Sequence, residues 1–321
     1  MNKNWEQALH NTDRRPMSKV IQRVLIVGCG YVGSQVAHLL SERDVDVWSL
    51  NRTPKDLPLQ IKQLFGDVTD FNSLPQLDQN FDGVVYAVSP LNRTEESYRS
   101  AYYAGLENVM NKIGHASNPK GLPLAHSEIP VRLLLVSSTG VFGQNEGEWV
   151  GEETDPNPTN ERALQLLKTE RLAIELGNPG IVLRLSGIYG PGRIQTIKKI
   201  LGGEYTYPET NHYTNRIHRD DSARSICHLL DLPAPKGLYL GVDCDPAPLH
   251  MVYNWIATRT GRPDPCPNMT KTFFQNRNTP QTNKRCRNQR LVESGFSFMY
   301  PTFREGYEPL IRQEKTRCNR V

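Results

Sequence analysis

Three glycines at fixed offsets are the residues of this 321-residue chain that most directly imply chemistry. Gly28-Cys29-Gly30-Tyr31-Val32-Gly33 follows the apolar run Val24–Val27 and opens a stretch in which Val36, Ala37, Leu39 and Leu40 recur at helical spacing. A glycine directly after a buried strand permits a tight turn, a second lets backbone approach a ligand, and a third lets the following helix pack closely on the sheet. The helix start then offers N–H groups and a positive dipole end to phosphate. The pattern predicts a bound dinucleotide held by Gly28, Gly30, Tyr31, Val32 and Gly33. Cys29 reads as a small space-filling residue, because the sequence supplies it with no resolving partner.

About twenty residues beyond the glycines, an NAD site places an acid that accepts from the ribose 2′-OH. Here stand Asn51, Arg52 and Thr53. With no carboxylate to repel a 2′-phosphate and a guanidinium to pair with it, the expected cofactor is NADP(H), with NAD(H) as the second choice. Gly66-Asp67-Val68-Thr69-Asp70 leaves two readings open. Asp67 and Val68 line the adenine side of the site, the carboxylate accepting from the adenine amino group, or the same Asp caps the helix that follows. Ala87, Val88 and Ser89 end the fourth apolar run with the small residues that close approach of a cofactor requires.

The elements that must position these residues are legible as alternating β-branched runs and helical patterns, the signature of a parallel sheet covered on both faces. Strands are expected at Val24–Val27, Val45–Leu50, Ile61–Phe65, Val84–Val88, Leu133–Ser137 and Ile181–Leu185, and helices at Tyr31–Glu42, Glu95–Ile113 and Glu161–Leu176. Gly114–Pro130, rich in Pro, Gly, Asn and Ser, is expected as a surface loop. The fold class is α/β, a Rossmann-type doubly wound parallel sheet with a small C-terminal substrate-side cap. The length suits one large α/β domain or a nucleotide domain with a smaller cap. The expected division is a tail over 1–19, a dinucleotide-binding domain over 20–189, and a mixed part over 190–321 whose helices and strand return to the core and whose remainder forms the cap.

Composition excludes several classes. Hydrophobic residues at 37% and charged residues at 22% are those of a folded globular chain rather than a disordered one. The net charge of +4 is spread along the chain, and the run Lys284, Arg285, Arg287, Arg290 belongs to no reading motif, so no nucleic-acid partner is expected. Six cysteines without C-x-x-C spacing predict neither a metal site nor a disulfide framework. Residues 1–19 lack the apolar core of a signal peptide, and no run approaches the ~20 apolar residues of a membrane span, so no membrane partner and a cytoplasmic location are expected.

Three further stretches carry a family likeness. Ser137-Ser138-Thr139-Gly140-Val141-Phe142-Gly143 is similar to a Ser-Ser-x-x-Val-Tyr-Gly stretch after strand five. Arg184-Leu185-Ser186-Gly187-Ile188-Tyr189-Gly190-Pro191-Gly192 is similar to Arg-x-x-x-x-Tyr-Gly-Pro-Gly after strand six. Ile217-His218-Arg219-Asp220-Asp221 is similar to Ile-His-x-x-Asp. With the glycine turn, these make the chain resemble the extended short-chain dehydrogenase/reductases, specifically the NAD(P)-dependent epimerase/dehydratase group and its atypical members, from about Val20 to near the C-terminus. The resemblance implies that Ser138 hydrogen-bonds the substrate oxygen beside the nicotinamide, with Thr139 next to it. It also implies a homodimer on helices Glu95–Ile113 and Glu161–Leu176.

The chain departs from this family at the catalytic pair. Aligning Glu170 with the acid that commonly follows Tyr-x-x-x-Lys puts Arg162 in the tyrosine slot and Leu166 in the lysine slot. Lys168 lies roughly 200° around the helix from that slot and does not replace it. The glycine turn also reads Gly-x-Gly-x-x-Gly where extended members usually carry Gly-x-x-Gly-x-x-Gly. Two functions follow. One is an epimerase/dehydratase- or reductase-like oxidoreductase on an anionic, sugar-nucleotide-like or carbonyl substrate. It would use Ser138 with a non-standard acid, Tyr189 first and Tyr98 or Tyr102 otherwise, and Arg193, Arg216 or Lys198 as anion anchors. The other is a non-catalytic NADP(H)-binding scaffold, redox sensor or assembly factor.

Overall fold

The β-branched runs form a seven-stranded sheet in the computed structural model, which describes residues 21–77, 80–117, 131–203, 206–208, 211–262, 266–268 and 283–318. The strands are β1 (Arg23–Val27), β2 (Asp46–Asn51), β3 (Lys62–Phe65), β4 (Gly83–Tyr86), β5 (Arg132–Ser138), β6 (Gly180–Leu185) and β7 (Leu238–Gly241). Their order across the sheet is β7-β6-β5-β4-β1-β2-β3. The sheet is parallel, with Leu25 opposite both Trp48 and Val84, Asn51 opposite Phe65, and Tyr86 opposite Leu135. Strand order reverses between β1 and β4, the topological switch point at which open α/β sheets bind ligands.

Two compact units share the chain. The first comprises the described residues up to Val141, Asn160–Arg184 and Ala223–Tyr239. Its core alternates with period two along the strands. Leu25 and Val27, Val84 and Tyr86, and Leu133 and Leu135 pack on α2 (Gly105–Ser117) and α3 (Glu161–Leu176). The opposite side chains, among them Val24, Ile26, Val85 and Leu134, are buried as well, as a sheet covered on both faces requires. The second unit comprises Phe142–Thr159, Leu185–Ser222 and the described residues from Leu240 onward. Its core gathers Ile197, Ile200, Val252, Ile256, Phe303, Tyr307 and Leu310 from three helices, Gln195–Leu201, Leu249–Thr260 and Phe303–Cys318. Short strand pairs complete it, including Arg216–His218 beside Gly187–Tyr189 and Lys284–Cys286 beside Glu148–Val150.

The departures from expectation have local causes. The first helix, α1 (Gly33–Ser41), begins at Gly33 rather than Tyr31, because the preceding residues form the turn. β4 ends at Tyr86, leaving Ala87–Ser89 as irregular chain. α2 runs on to Ser117, into the stretch expected as loop, since nothing there breaks a helix before Pro119 and the residue preceding it. The rest of that expected loop lies outside the described residues, as does the expected N-terminal tail.

The helix expected over Glu95–Ile113 is not uniform. Glu95–Tyr98 is α-helical, Arg99–Ala104 is π-helical, and α2 follows. At the junction the Gly105 N–H donates to the Ser100 and Tyr102 carbonyls rather than to that of Ala101. The buried Tyr86 hydroxyl donates to the Ala101 carbonyl instead, at 2.5 Å. A side chain at Gly105 would collide with that hydroxyl. The extra residue in the turn is thus matched to one phenol, and such π-turns frequently lie at functional sites.

One buried ion pair joins β5, α3 and β6. The Arg184 guanidinium donates to Glu170 Oε2 through Nη2 at 2.7 Å and to Oε1 through Nε at 3.0 Å, and the Ser137 hydroxyl donates to the same Oε1 at 2.5 Å. Neither ionic side chain is more than 1% exposed. Removing one partner of such a pair strands the other charge away from water. Glu170→Gln is therefore expected to destabilise the fold by ~3–5 kcal/mol, read as a lowered urea midpoint with an unchanged slope. Tyr86→Phe, which leaves the Ala101 carbonyl without its donor, is expected to cost ~1–3 kcal/mol in the same measurement. Wild-type stability in either variant would show that these bonds contribute nothing net.

Candidate functional site

A cavity of about 590 Å³ opens in the first unit at the carboxyl ends of β1, β2, β3 and β4. Of the residues expected to hold a dinucleotide, Gly28, Gly30, Asn51, Arg52, Thr53, Asp67, Val68, Ala87, Val88 and Ser89 line it. Tyr31, Val32 and Gly33 do not. They lie on the helix side of the turn, where Val32 is the N-cap of α1 and its side chain makes no capping bond, leaving that end without a side-chain acceptor.

The three glycines have three distinct steric reasons. Gly28 has φ +91°, and a Cβ there would come within 2.9 Å of the Ala87 carbonyl oxygen. A Cβ on Gly33 would collide with the carbonyl of Gly28 itself. A Cβ on Gly30 would meet no protein atom within 4 Å; it would project into open space beside the cavity that Gly30 lines. Two of the glycines are therefore required by the fold, and the third leaves space for a ligand.

Asn51 ties β2 to this turn. The Cys29 N–H donates to Asn51 Oδ1 at 2.7 Å, which assigns the oxygen of the amide to that side. Asn51 lines the cavity but is only 6% exposed, and its amide nitrogen Nδ2 is buried without a geometric hydrogen bond among the described residues. Burial pushes the Cys29 thiol up to about 12, against the opposing hydrogen bonds to Asn51 and Ser49 and the nearby charge of Lys55. A thiol held protonated in this way is a packing residue rather than a nucleophile.

Asp67 lines the cavity while its Oδ1 accepts from the Thr69 N–H and hydroxyl at 2.9 and 2.8 Å. The short helix that follows is capped by Asp70, whose Oδ1 accepts from the Asn72 N–H. Sequence reasoning did not single out Lys55, Ser97, Ser100 and Ala101, which also line the cavity. The last three come from the π-turned helix, and no linear motif announces a helix register that depends on a tyrosine in another strand.

The substrate-side residues are placed as follows. Ser138 ends β5, and its Oγ accepts from the Gly140 N–H at 3.0 Å, leaving its own proton with no acceptor among the described residues. Thr139, buried, starts the short turn Thr139–Val141. Neither lines the cavity. Leu166 is buried on α3 and Lys168 exposed. The Tyr98 and Tyr102 rings lie 5.5 Å apart and tilted by 44°, and burial pushes the Tyr102 phenol up.

Tyr189 belongs to the second unit, where its ring lies 4.4 Å from Tyr307 and edge-on to His218. It is 5% exposed, its hydroxyl has no partner among the described residues, and burial drives its pKa far up. Arg216 is buried in the same unit, with its Nη2 donating to the Thr214 hydroxyl and its guanidinium 5.5 Å from the Phe303 ring. Next to it Asp243, whose N–H donates to the Arg216 carbonyl at 2.7 Å, is pushed up to about 8 by burial, with Arg216 opposing. Arg193 and Lys198 are exposed on Gly192–Leu201. No group of three or more His, Cys, Asp or Glu among the described residues is arranged to hold a metal, and no helix among them is long and apolar enough to cross a membrane.

Comparison with known proteins agrees with this geometry. A family model described as the NAD dependent epimerase/dehydratase family matches residues 24–234. A structure from Methylobacillus flagellatus, described as an NAD-dependent epimerase/dehydratase, is 31% identical with a TM-score of 0.73, over 92% of this chain and 100% of that one. At 21% identity, MoeE5 in complex with UDP-glucuronic acid and NAD shares the fold with a TM-score of 0.69, over 92% and 99% of the two chains. The UDP-glucose 4-epimerase of Thermotoga maritima with UDP-glucose does so at 13% identity and a TM-score of 0.70, over 92% and 100%. A search of curated proteins gives no match. The glycine turn, the parallel sheet and the matched residues together place this chain in the NAD-dependent epimerase/dehydratase family.

Proposed function

We propose that the chain binds NADP(H) in preference to NAD(H) and is an oxidoreductase acting on an anionic, sugar-nucleotide-like or carbonyl substrate. The observation that carries the cofactor reading is the wall of the cavity beyond β2. Where NAD-binding relatives need a carboxylate, the lining carries the neutral Asn51 followed by Arg52. Donors and a guanidinium favour a phosphate over a hydroxyl. Gly28, Gly30 and the N-terminus of α1 receive the pyrophosphate, and Ala87–Ser89 allow close approach. The bound nicotinamide supplies hydride chemistry.

Ser138 is the chain's own contribution to that chemistry. Its Oγ accepts from Gly140 N–H, and its rotatable hydroxyl proton is the donor we assign to a substrate oxygen. Its neighbour Ser137, bound to Glu170, is structural. The sugar nucleotides in the complexes of MoeE5 and of the Thermotoga epimerase support the substrate class. The same ligands support a small-molecule partner, and the helical stretches Glu95–Ile113 and Glu161–Leu176 are where we place a second copy in a homodimer.

A second reading, a dinucleotide-holding scaffold without turnover, is favoured by the buried Leu166 where the family's lysine would stand and Arg162 where its tyrosine would. A ligand that binds only the folded state stabilises it by mass action, so the cofactor would matter without catalysis.

Calorimetry and single-turnover absorbance separate these readings. Wild type is expected to bind NADPH at least about tenfold more tightly than NADH, one charge-assisted hydrogen bond being worth ~1.5–3 kcal/mol. Asn51→Asp keeps the acceptor for Cys29 N–H and puts an oxygen where the amide donor was, so the preference is expected to invert. Equal affinities in wild type would end the NADP(H) assignment. Against a panel of nucleotide sugars and carbonyl compounds, Ser138→Ala is expected to lower turnover by about 10²-fold or more with unchanged NADPH affinity. Absence of any turnover by wild type, with cofactor bound, would select the scaffold.

A further inference from the structure

The helical segment beside the cofactor cavity meets it on both sides of the π-turn. Ser97, Ser100 and Ala101, before and within the turn, line the cavity directly. After the turn, Gly105 and Asn108 stand three residues apart on one face of α2 and seat Val68, which lines the cavity from the chain beyond β3. The Asn108 amide nitrogen donates to the Val68 carbonyl at 2.9 Å. Gly105 admits the Val68 side chain, whose Cγ2 a Cβ at that position would meet at 2.9 Å. The Tyr86 hydroxyl sits at the same junction, donating to the Ala101 carbonyl in the room that Gly105 leaves for it. Tyr86 ends β4, is fully buried and does not itself line the cavity. One phenol thus touches the backbone of a lining residue within the turn and the glycine that seats another lining residue after it.

We infer that Tyr86 is a positioning residue for the dinucleotide: by holding the surplus residue of the π-turn, its hydroxyl keeps Ser97 and Ser100 in register with the seat that Gly105 and Asn108 form for Val68, so that both walls face one ligand. The inference rests on the dinucleotide reading of the cavity and holds whichever dinucleotide is bound. Without the phenol the buried Ala101 carbonyl loses its donor, and the turn recovers one by relaxing to α-helical bonding. That relaxation rotates the two halves of the segment by roughly 100° relative to one another, which takes either the serines from the cavity or Val68 from its seat.

The test is calorimetry of the full chain with NADPH and with NADH, at a temperature where every variant is folded. Tyr86→Phe is expected to weaken both by about tenfold, since a displaced supporting shell reaches every ligand of the site alike. Val109→Ala, which removes buried methyl groups from the same helix and none of these hydrogen bonds, is expected to lower the urea midpoint comparably and to leave both affinities within about twofold. Deleting Ala104 in the Tyr86→Phe background takes out the surplus residue and is expected to restore both affinities to within about twofold of wild type, whereas the same deletion beside Tyr86 weakens them. Asn108→Ala is expected to weaken both in wild type and to add little to Tyr86→Phe, because the two act on one seat. Should the deletion not fold, full additivity of Asn108→Ala with Tyr86→Phe overturns the inference. Wild-type affinities in Tyr86→Phe, or equal losses in Val109→Ala, also overturn it and leave the dinucleotide reading standing. A wild type that binds neither nucleotide overturns that reading itself.

Discussion

The turn after β1 is confined by backbone at its first and last glycines, and the cavity beside it is built around that confinement. Its first residue sits against the chain leaving β4, its last carries α1 directly onto the carbonyl of the first, and its middle N–H is held by an amide from β2. No side chain fits at the first or last position. Because β1 lies between β2 and β4, the sheet order brings Asn51 at the end of β2 and Ala87 just beyond β4 to this turn. The cavity exists because irregular chain diverges from this packed turn at the ends of four strands.

A different kind of constraint holds the end of β5. Two of the stretches that mark the family, the serine pair ending β5 and the arginine of β6, meet at Glu170. The arginine of the signature is therefore structural. Its charge is buried against the Glu170 carboxylate, which also accepts from the hydroxyl of Ser137. Ser138 is set at the strand end by this arrangement, since its neighbour is fixed to α3. Motif residues in this chain thus divide between those that hold a strand terminus in place and those that the terminus presents.

Much of this was readable from residue patterns. The six expected strands and the helices on either side reappear within one or two residues at most ends, because β-branched runs buried on both faces leave a strong signal. The glycine turn was legible for the same steric reason it exists. What the pattern did not disclose depends on partners distant in sequence. Nothing near Lys55 marks it, as its place is fixed by a glutamine on the next strand. The shared role of Asn51 needs the distance to Cys29 to be seen. Tyr189 and Arg216, chosen for their chemical type, turned out to lie deep in the second unit, a burial that no local spacing announces.

The π-turn has a consequence for how this helix can vary among related chains. One surplus residue shifts the angular phase of everything beyond it by roughly 100° relative to an unbroken α-helix. Alignments that thread the segment as continuous α-helix would assign each later side chain to the wrong face, and a related chain lacking the phenol in β4 would be expected to be one residue shorter there. The length of that turn and a hydroxyl distant in sequence are thus physically linked in this chain.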